Sequence, residues 1–187
     1  MGWGRSRRIT ALIAGAALAL ALLAVGIMAV ARHPTASPLQ VGTSAPTFSL
    51  PALDGGSISL ADLHGHALLI NFWASWCPYC RAETESLVTL QTSCHELTVL
   101  GVAVDAPAEP VAEFANRAGI GYPVLLDQTG EVANLYGATY LPTSVLVRPD
   151  GRIAWIEHGA FVTVGQARSL VDRRLGGICV PKNATRS

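Results

Sequence analysis

Neither sign of charge is in surplus in this chain: 13 lysines and arginines stand against 13 aspartates and glutamates. That balance builds no basic field to gather nucleic acid and no acidic field to steer cations. The second half of a zinc site is also missing. A structural zinc ion takes four ligands, usually two Cys-x-x-Cys pairs or one such pair with two close histidines. Cys77-Pro-Tyr-Cys80 is the one Cys-x-x-Cys. Cys94-His95 lies well beyond it, and His64 and His66 precede it in a different element, so none offers a clean half-site and no metal is expected. No internal repeat or low-complexity tract breaks up the chain. Its 187 residues leave room for one compact domain and an appendage.

Half of the residues are apolar, and much of that excess sits in one place. Ile9 to Ala31 runs without a charge, with Thr10 as its one polar side chain. A helix of that length crosses a hydrocarbon core of about 30 Å, whereas the apolar part of a cleavable signal is about 7–15 residues. Length therefore favours an uncleaved anchor, although Ala29-Val30-Ala31 offers a small-x-small cleavage triplet. Ser6-Arg7-Arg8 is a faint match to a twin-arginine signal. Arg5, Arg7 and Arg8 precede the run, which holds the N-terminus in the cytoplasm and sends the rest outward; if the segment is cleaved, the domain is secreted. The expected organisation is a basic segment 1–8, an anchor 9–31, a linker 32–46, a domain 47–176 and a tail 177–187. Pro34, Pro38 and Pro46 suit the linker.

Within the domain, Thr47 to Leu60 reads as a hairpin around Asp54-Gly55-Gly56. Ala67 to Trp73 and Leu97 to Val104 are short, nearly unbroken apolar runs, the pattern of strands covered on both faces. Helices are expected from Pro78 to Gln91, Pro107 to Ala118, Gly130 to Tyr136 and Val164 to Leu175. A short strand is expected at Pro123 to Leu126. Thr143 to Val147 and Arg152 to Glu157 flank an Asp150-Gly151 turn. Strand-helix units followed by a hairpin and a helix describe an α/β fold, a mixed central sheet flanked by helices.

Cys77 follows an apolar strand and opens a helix, so its sulfur can meet free N–H groups at the positive end of the helix dipole. That setting favours the thiolate, the species that attacks disulfides. Cys80 lies one turn deeper, placed to attack the resulting mixed disulfide. Trp76 is expected to shield one side of the pair, with Pro78 in the first helical turn and Tyr79 projecting from it. Cys94 and Cys179 suit a structural disulfide in an oxidising compartment, worth about 4 kcal/mol by loop closure; the alternative is that one is a free or resolving thiol.

The segment Asn71-Phe-Trp-Ala-Ser-Trp-Cys-Pro-Tyr-Cys-Arg-Ala-Glu83 resembles the active-site signature of the TlpA/ResA/CcmG-like (DsbE-like) group of anchored thioredoxin-fold proteins. The lead-in Val41-Gly42-x-x-Ala45-Pro46-x-Phe48-x-Leu50 is similar to theirs, as are Leu141-Pro142-Thr143 and Pro149-Asp150-Gly151. The resemblance implies a thioredoxin-like fold with an N-terminal hairpin extension, and a thiol:disulfide oxidoreductase without a cofactor. It implies that Pro142 is cis beside the disulfide and that Leu141 backbone groups meet substrate. Asn71 stands where cytoplasmic thioredoxins carry an aspartate that handles the second thiol's proton. Glu83 is the nearest acid in sequence, either a catalytic group or a solvated helix-surface carboxylate. Partners implied are disulfide-containing clients, among them apocytochrome c or copper-centre assembly factors, and a membrane thiol donor of DsbD/CcdA type. A disulfide-donating oxidase is the alternative. A thiol peroxidase fits less well, because Ala74 stands where a Thr-x-x-Cys pattern needs threonine. Copper carriers of this kind pair a Cys-x-x-x-Cys with a distal histidine; His158 is present but the cysteine spacing is one residue short.

Overall fold

The computed structural model describes residues 39–179 except Ala106. The basic segment 1–8, the apolar segment 9–31, the first part of the linker (32–38) and residues 180–187 of the tail, where Asn183-Ala-Thr185 matches a glycosylation sequon, lie outside the described residues. Among the described residues, no helix is long and apolar enough to cross a membrane.

Two short strands, β1 (Ser49–Pro51) and β2 (Ser57–Ser59), form the antiparallel hairpin. Gly55 and Gly56 turn it at φ 104° and 75°, angles that side chains with a Cβ rarely adopt. The domain continues through β3 (Ala67–Trp73), α1 (Pro78–Ser93), β4 (Leu97–Ala103), α2 (Glu109–Ala118), β5 (Val124–Leu126) and α3 (Glu131–Leu135). It closes with β6 (Thr143–Val147), β7 (Ile153–His158) and α4 (Val164–Leu175). The main sheet has the order β5-β4-β3-β6-β7. Strand β3 is parallel to β4 and β4 to β5, while β6 runs antiparallel to both β3 and β7. This is a thioredoxin-like α/β fold.

All seven residues of β3 are buried, as a nearly unbroken apolar strand at the centre of a covered sheet must be, with Asn71 its one polar side chain. Alternation along the strand divides the core into two layers. Leu69 and Trp73 pack with Leu87, Leu90, Val111, Phe114 and Val171, the layer of α1, α2 and α4. Leu68, Ile70 and Phe72 face the other way, toward Phe48, Val132 and Tyr136. Both sheet edges are partly covered, which blunts their tendency to pair with other chains. Leu53 donates to the Val124 carbonyl at 2.8 Å, seating the hairpin on β5. At the other edge, Gly42 donates to Ile153 and Ile153 to Thr43, at 2.8 and 2.9 Å.

Helix α2 begins at Glu109, two residues later than the sequence pattern suggests. Pro107 and Pro110 each suit a first turn, where the missing N–H costs nothing. Ala108 accepts the first helical bond, from Ala112 at 3.0 Å, so Pro110 occupies that turn. Helix α4 starts with a reciprocal cap between Thr163 and Gln166.

Candidate active site

The chain leaves β3 at Trp73 and turns back at once, with the Cys77 N–H on the Ala74 carbonyl at 3.1 Å. Asp105, at the end of neighbouring β4, accepts the Ser75 N–H at 2.8 Å and ties this turn to the sheet. Cys77 is the residue that caps α1: its Sγ accepts the Cys80 N–H at 3.2 Å, and Pro78 is the first helical residue. Cys77 and Cys80 are joined as a disulfide, and both are buried. The Leu141–Pro142 peptide is cis. It lies against the pair, with the Leu141 carbonyl oxygen 3.7 Å from Cys77 Sγ. Thus Cys77, Cys80, Leu141 and Pro142, far apart in sequence, meet at the start of α1. Trp76 and Tyr79, by contrast, stand out into solvent.

Glu83 corrects one of the two sequence expectations made for it. It is not a solvated surface carboxylate: only 1 % of it is exposed. Asn71 Nδ2 donates to Glu83 Oε1 at 2.7 Å, and the Phe161 N–H donates to Oε2 at 3.0 Å. The same Asn71 nitrogen also reaches Ser144 Oγ at 2.9 Å. Burial disfavours the ionised form more than these two donors favour it, so the Glu83 pKa is pushed up to about 7. Tyr122 faces this carboxylate across the same layer; burial, and then the Glu83 charge, push its phenol pKa upward.

The roles of Ser144, the Phe161 N–H, Asp105 and Tyr122 have no local sequence signal. Ser144 and Asn71 become neighbours through the antiparallel pairing of β3 and β6, a pairing visible only in three dimensions. His158 Nδ1 lies 3.1 Å from Thr143 Oγ1 at the end of β7. Cys94 and Cys179 form a second buried disulfide at the opposite end of α1. Around it, the Cys179 N–H donates to Asp172 Oδ1 at 2.8 Å, and Arg168 donates to the Cys179 carbonyl.

This arrangement, a disulfide at a helix N-terminus beside a cis proline, agrees with comparisons to known proteins. Residues 41–156 match the family model described as the AhpC/TSA family. The chain belongs to that family. This AhpC/TSA protein is 35 % identical over 117 residues to the thiol-disulfide oxidoreductase ResA of Bacillus thuringiensis (strain Al Hakam), covering 62 % of this chain and 68 % of that one. Its domain also superposes on a thiol:disulfide interchange protein, a thioredoxin family protein of Chlorobium tepidum TLS. There the TM-score is 0.65 and the identity 30 %, over 73 % of this chain and 99 % of the other. A secreted Mycobacterium tuberculosis disulfide oxidoreductase homologous to E. coli DsbE matches with a TM-score of 0.63 and 25 % identity, over 67 % and 95 % of the two chains. The AhpC/TSA protein described here is a thiol:disulfide oxidoreductase.

Proposed function

We propose that the protein is a membrane-anchored, extracytoplasmic disulfide reductase whose catalytic residues are Cys77 and Cys80. The Cys77 thiolate attacks one sulfur of a client disulfide, forming a Cys77–client bond and releasing the other client sulfur as a thiolate. Cys80, deprotonated, then attacks Cys77 Sγ, releasing the second client thiolate and closing the Cys77–Cys80 disulfide. Two electrons pass to the client, and the dithiol gives up two protons. A membrane thiol donor of DsbD/CcdA type reverses the change.

The observation that carries this reading is the cap. Cys77 Sγ already accepts the Cys80 N–H at 3.2 Å, so the α1 N-terminus favours negative charge on that sulfur before any client arrives. Glu83 is the candidate acceptor for the Cys80 proton. It is buried one turn along the same helix, and its pKa of about 7 suits proton exchange near neutrality. Asn71 and the Phe161 N–H hold it in place, and Ser144 steadies Asn71. The Leu141 carbonyl lies 3.7 Å from Cys77 Sγ on the proline side, and Trp76, Pro78 and Tyr79 support the pair. Export is supported by the Ile9–Ala31 run and its preceding arginines; Cys94–Cys179 pairing suits an oxidising compartment. Clients in cytochrome c or metal-centre assembly follow from the group resemblance.

The test is the equilibrium potential of the Cys77–Cys80 couple against a glutathione buffer. A reductase sits toward the thioredoxin end, about −270 mV. A value near about −120 mV, where strong oxidants lie, would reverse the direction and make the protein a disulfide donor.

A further inference from the structure

Thr143 follows Pro142 in the chain, and His158 stands directly opposite it across the β6–β7 pairing. Side chains opposite one another in an antiparallel pair share a face and come within reach of each other. Here they touch: His158 Nδ1 is 3.1 Å from Thr143 Oγ1. The same Oγ1 lies 2.7 Å from the Tyr140 carbonyl oxygen, which can only accept, so the hydroxyl proton goes there. Oγ1 then meets the imidazole as an acceptor, and the proton between them belongs to Nδ1. One residue beyond His158, the Gly159 N–H donates to the Pro142 carbonyl at 2.9 Å. The carbonyls on both sides of Leu141 are thus taken, and the Leu141 carbonyl between them faces Cys77 Sγ at 3.7 Å. His158 itself is exposed and belongs to neither core layer, so packing of the interior does not account for this contact.

We infer that His158 is a positioning residue for disulfide exchange: through Thr143 and Tyr140 it fixes the turn of chain that sets the Leu141 carbonyl beside Cys77. The inference rests on the reductase reading above and adds to it a residue that acts through two others. Oγ1 has two partners in its present rotamer, and without His158 it keeps one. The Thr143 side chain is then freer to leave that staggered position and release Tyr140. Anchored carbonyls on either side leave the peptide between them little freedom, and losing one anchor returns it. Exchange needs the reacting atoms within about 3–3.5 Å and aligned, and a misplacement of about 1 Å costs up to about 100-fold. A polypeptide client feels such a shift most, because its backbone passes the Leu141 carbonyl when its sulfur meets Cys77. A small disulfide has no backbone N–H to offer that oxygen and feels it least.

The test uses the full-length chain with Cys77 and Cys80 reduced, and follows their oxidation in single turnovers by disulfide-bonded insulin and by hydroxyethyl disulfide. The readout is the ratio of the two second-order rate constants, insulin over the small disulfide. His158→Leu is expected to cut this ratio about fivefold, the scale of one hydrogen bond between client and carbonyl. His158→Asn is expected to restore it to within about twofold, because its amide nitrogen is bonded to Cγ, as Nδ1 is in histidine. Thr143→Val cuts the ratio as His158→Leu does, and the double variant loses little more than either, since both break one chain of bonds. Nitrogen NMR of the His158 imidazole places the proton of the neutral ring on Nδ1. An unchanged ratio in His158→Leu overturns the proposal, and so do equal losses with both substrates, the result of a general loosening of the fold. Failure of asparagine to restore the ratio, losses that multiply in the double variant, or a neutral ring protonated on Nε2 overturn it as well. If neither substrate oxidises the wild type, the reductase reading has failed and this inference with it, a result distinct from an unchanged ratio.

Discussion

Replacing Glu83 with glutamine should remove a pH-dependent weakness from the oxidised protein. Burial carries the Glu83 carboxyl from its ordinary 4.5 to about 7, so the folded state holds this proton more tightly than the unfolded chain does. Stability from this group is therefore fully present below pH 4.5, is lost as pH rises, and levels off above about 7. The difference amounts to about 3 kcal/mol, and with 1 % of the residue exposed, solvent screening removes little of it. Glutamine keeps the shape and has no proton to lose. Its carbonyl can accept the Phe161 N–H, and its amide can donate to Asn71 once that side chain turns over, with Ser144 then donating to the same Asn71 oxygen. Urea unfolding of oxidised wild type and Glu83→Gln across this range is the assay. The two proteins should match within about 1 kcal/mol at acid pH, the scale of one exchanged hydrogen bond, and the variant should be more stable by about 3 kcal/mol above neutrality. Both cysteine pairs are oxidised, so no thiol titrates in either protein. Parallel curves would refute the argument that burial governs this carboxyl.

Three further changes probe the frame around the site. Replacing Cys94 and Cys179 together by serine opens a loop with a sequence separation of 85. That should cost about 4–5 kcal/mol in urea unfolding, while insulin reduction under native conditions stays near the wild-type rate because the other disulfide lies at the far end of α1. Gly101→Ala places a Cβ 2.9 Å from Trp73 Nε1 and 3.1 Å from Tyr122 Cε2; a loss of about 1–3 kcal/mol is expected, with a changed near-UV spectrum from the displaced indole. Tyr136→Phe removes the hydroxyl that donates to the Pro46 carbonyl at 2.7 Å, and should lower the unfolding free energy by about 1 kcal/mol.

Much of this molecule is legible in its sequence where local physics decides the outcome. The apolar runs of β3 and β4 are too short for typical helices and too continuous for exposed strands. Pro78 fixes where α1 can begin, and Thr163 with Gln166 fixes the start of α4. Cys77 at a strand-to-helix junction announces its own chemistry. Glu83 is the contrasting case. Its position three residues after Cys80 does not say which side of α1 meets the sheet, and its partners come from β3 and from the loop before α4, 12 and 78 residues away. Trp76 is contrary in the other direction: an aromatic beside a buried pair reads as a shield, but most of its surface is exposed. Thr143 and His158 look like ordinary strand-end residues until β6 and β7 pair beside the Leu141–Pro142 segment. Long-range pairing, rather than propensity, makes these positions what they are.

The central claim is that Cys77 attacks and Cys80 resolves. Cys80→Ser, reduced and mixed with excess disulfide-bonded insulin, tests it in one step by mass mapping of the non-reduced product. The account predicts one insulin molecule joined to Cys77 through a single mixed disulfide, released by dithiothreitol, and no adduct when Cys77→Ser is treated in the same way. An adduct formed by Cys77→Ser through Cys80, or insulin reduction by Cys77→Ser at the wild-type rate, would contradict it.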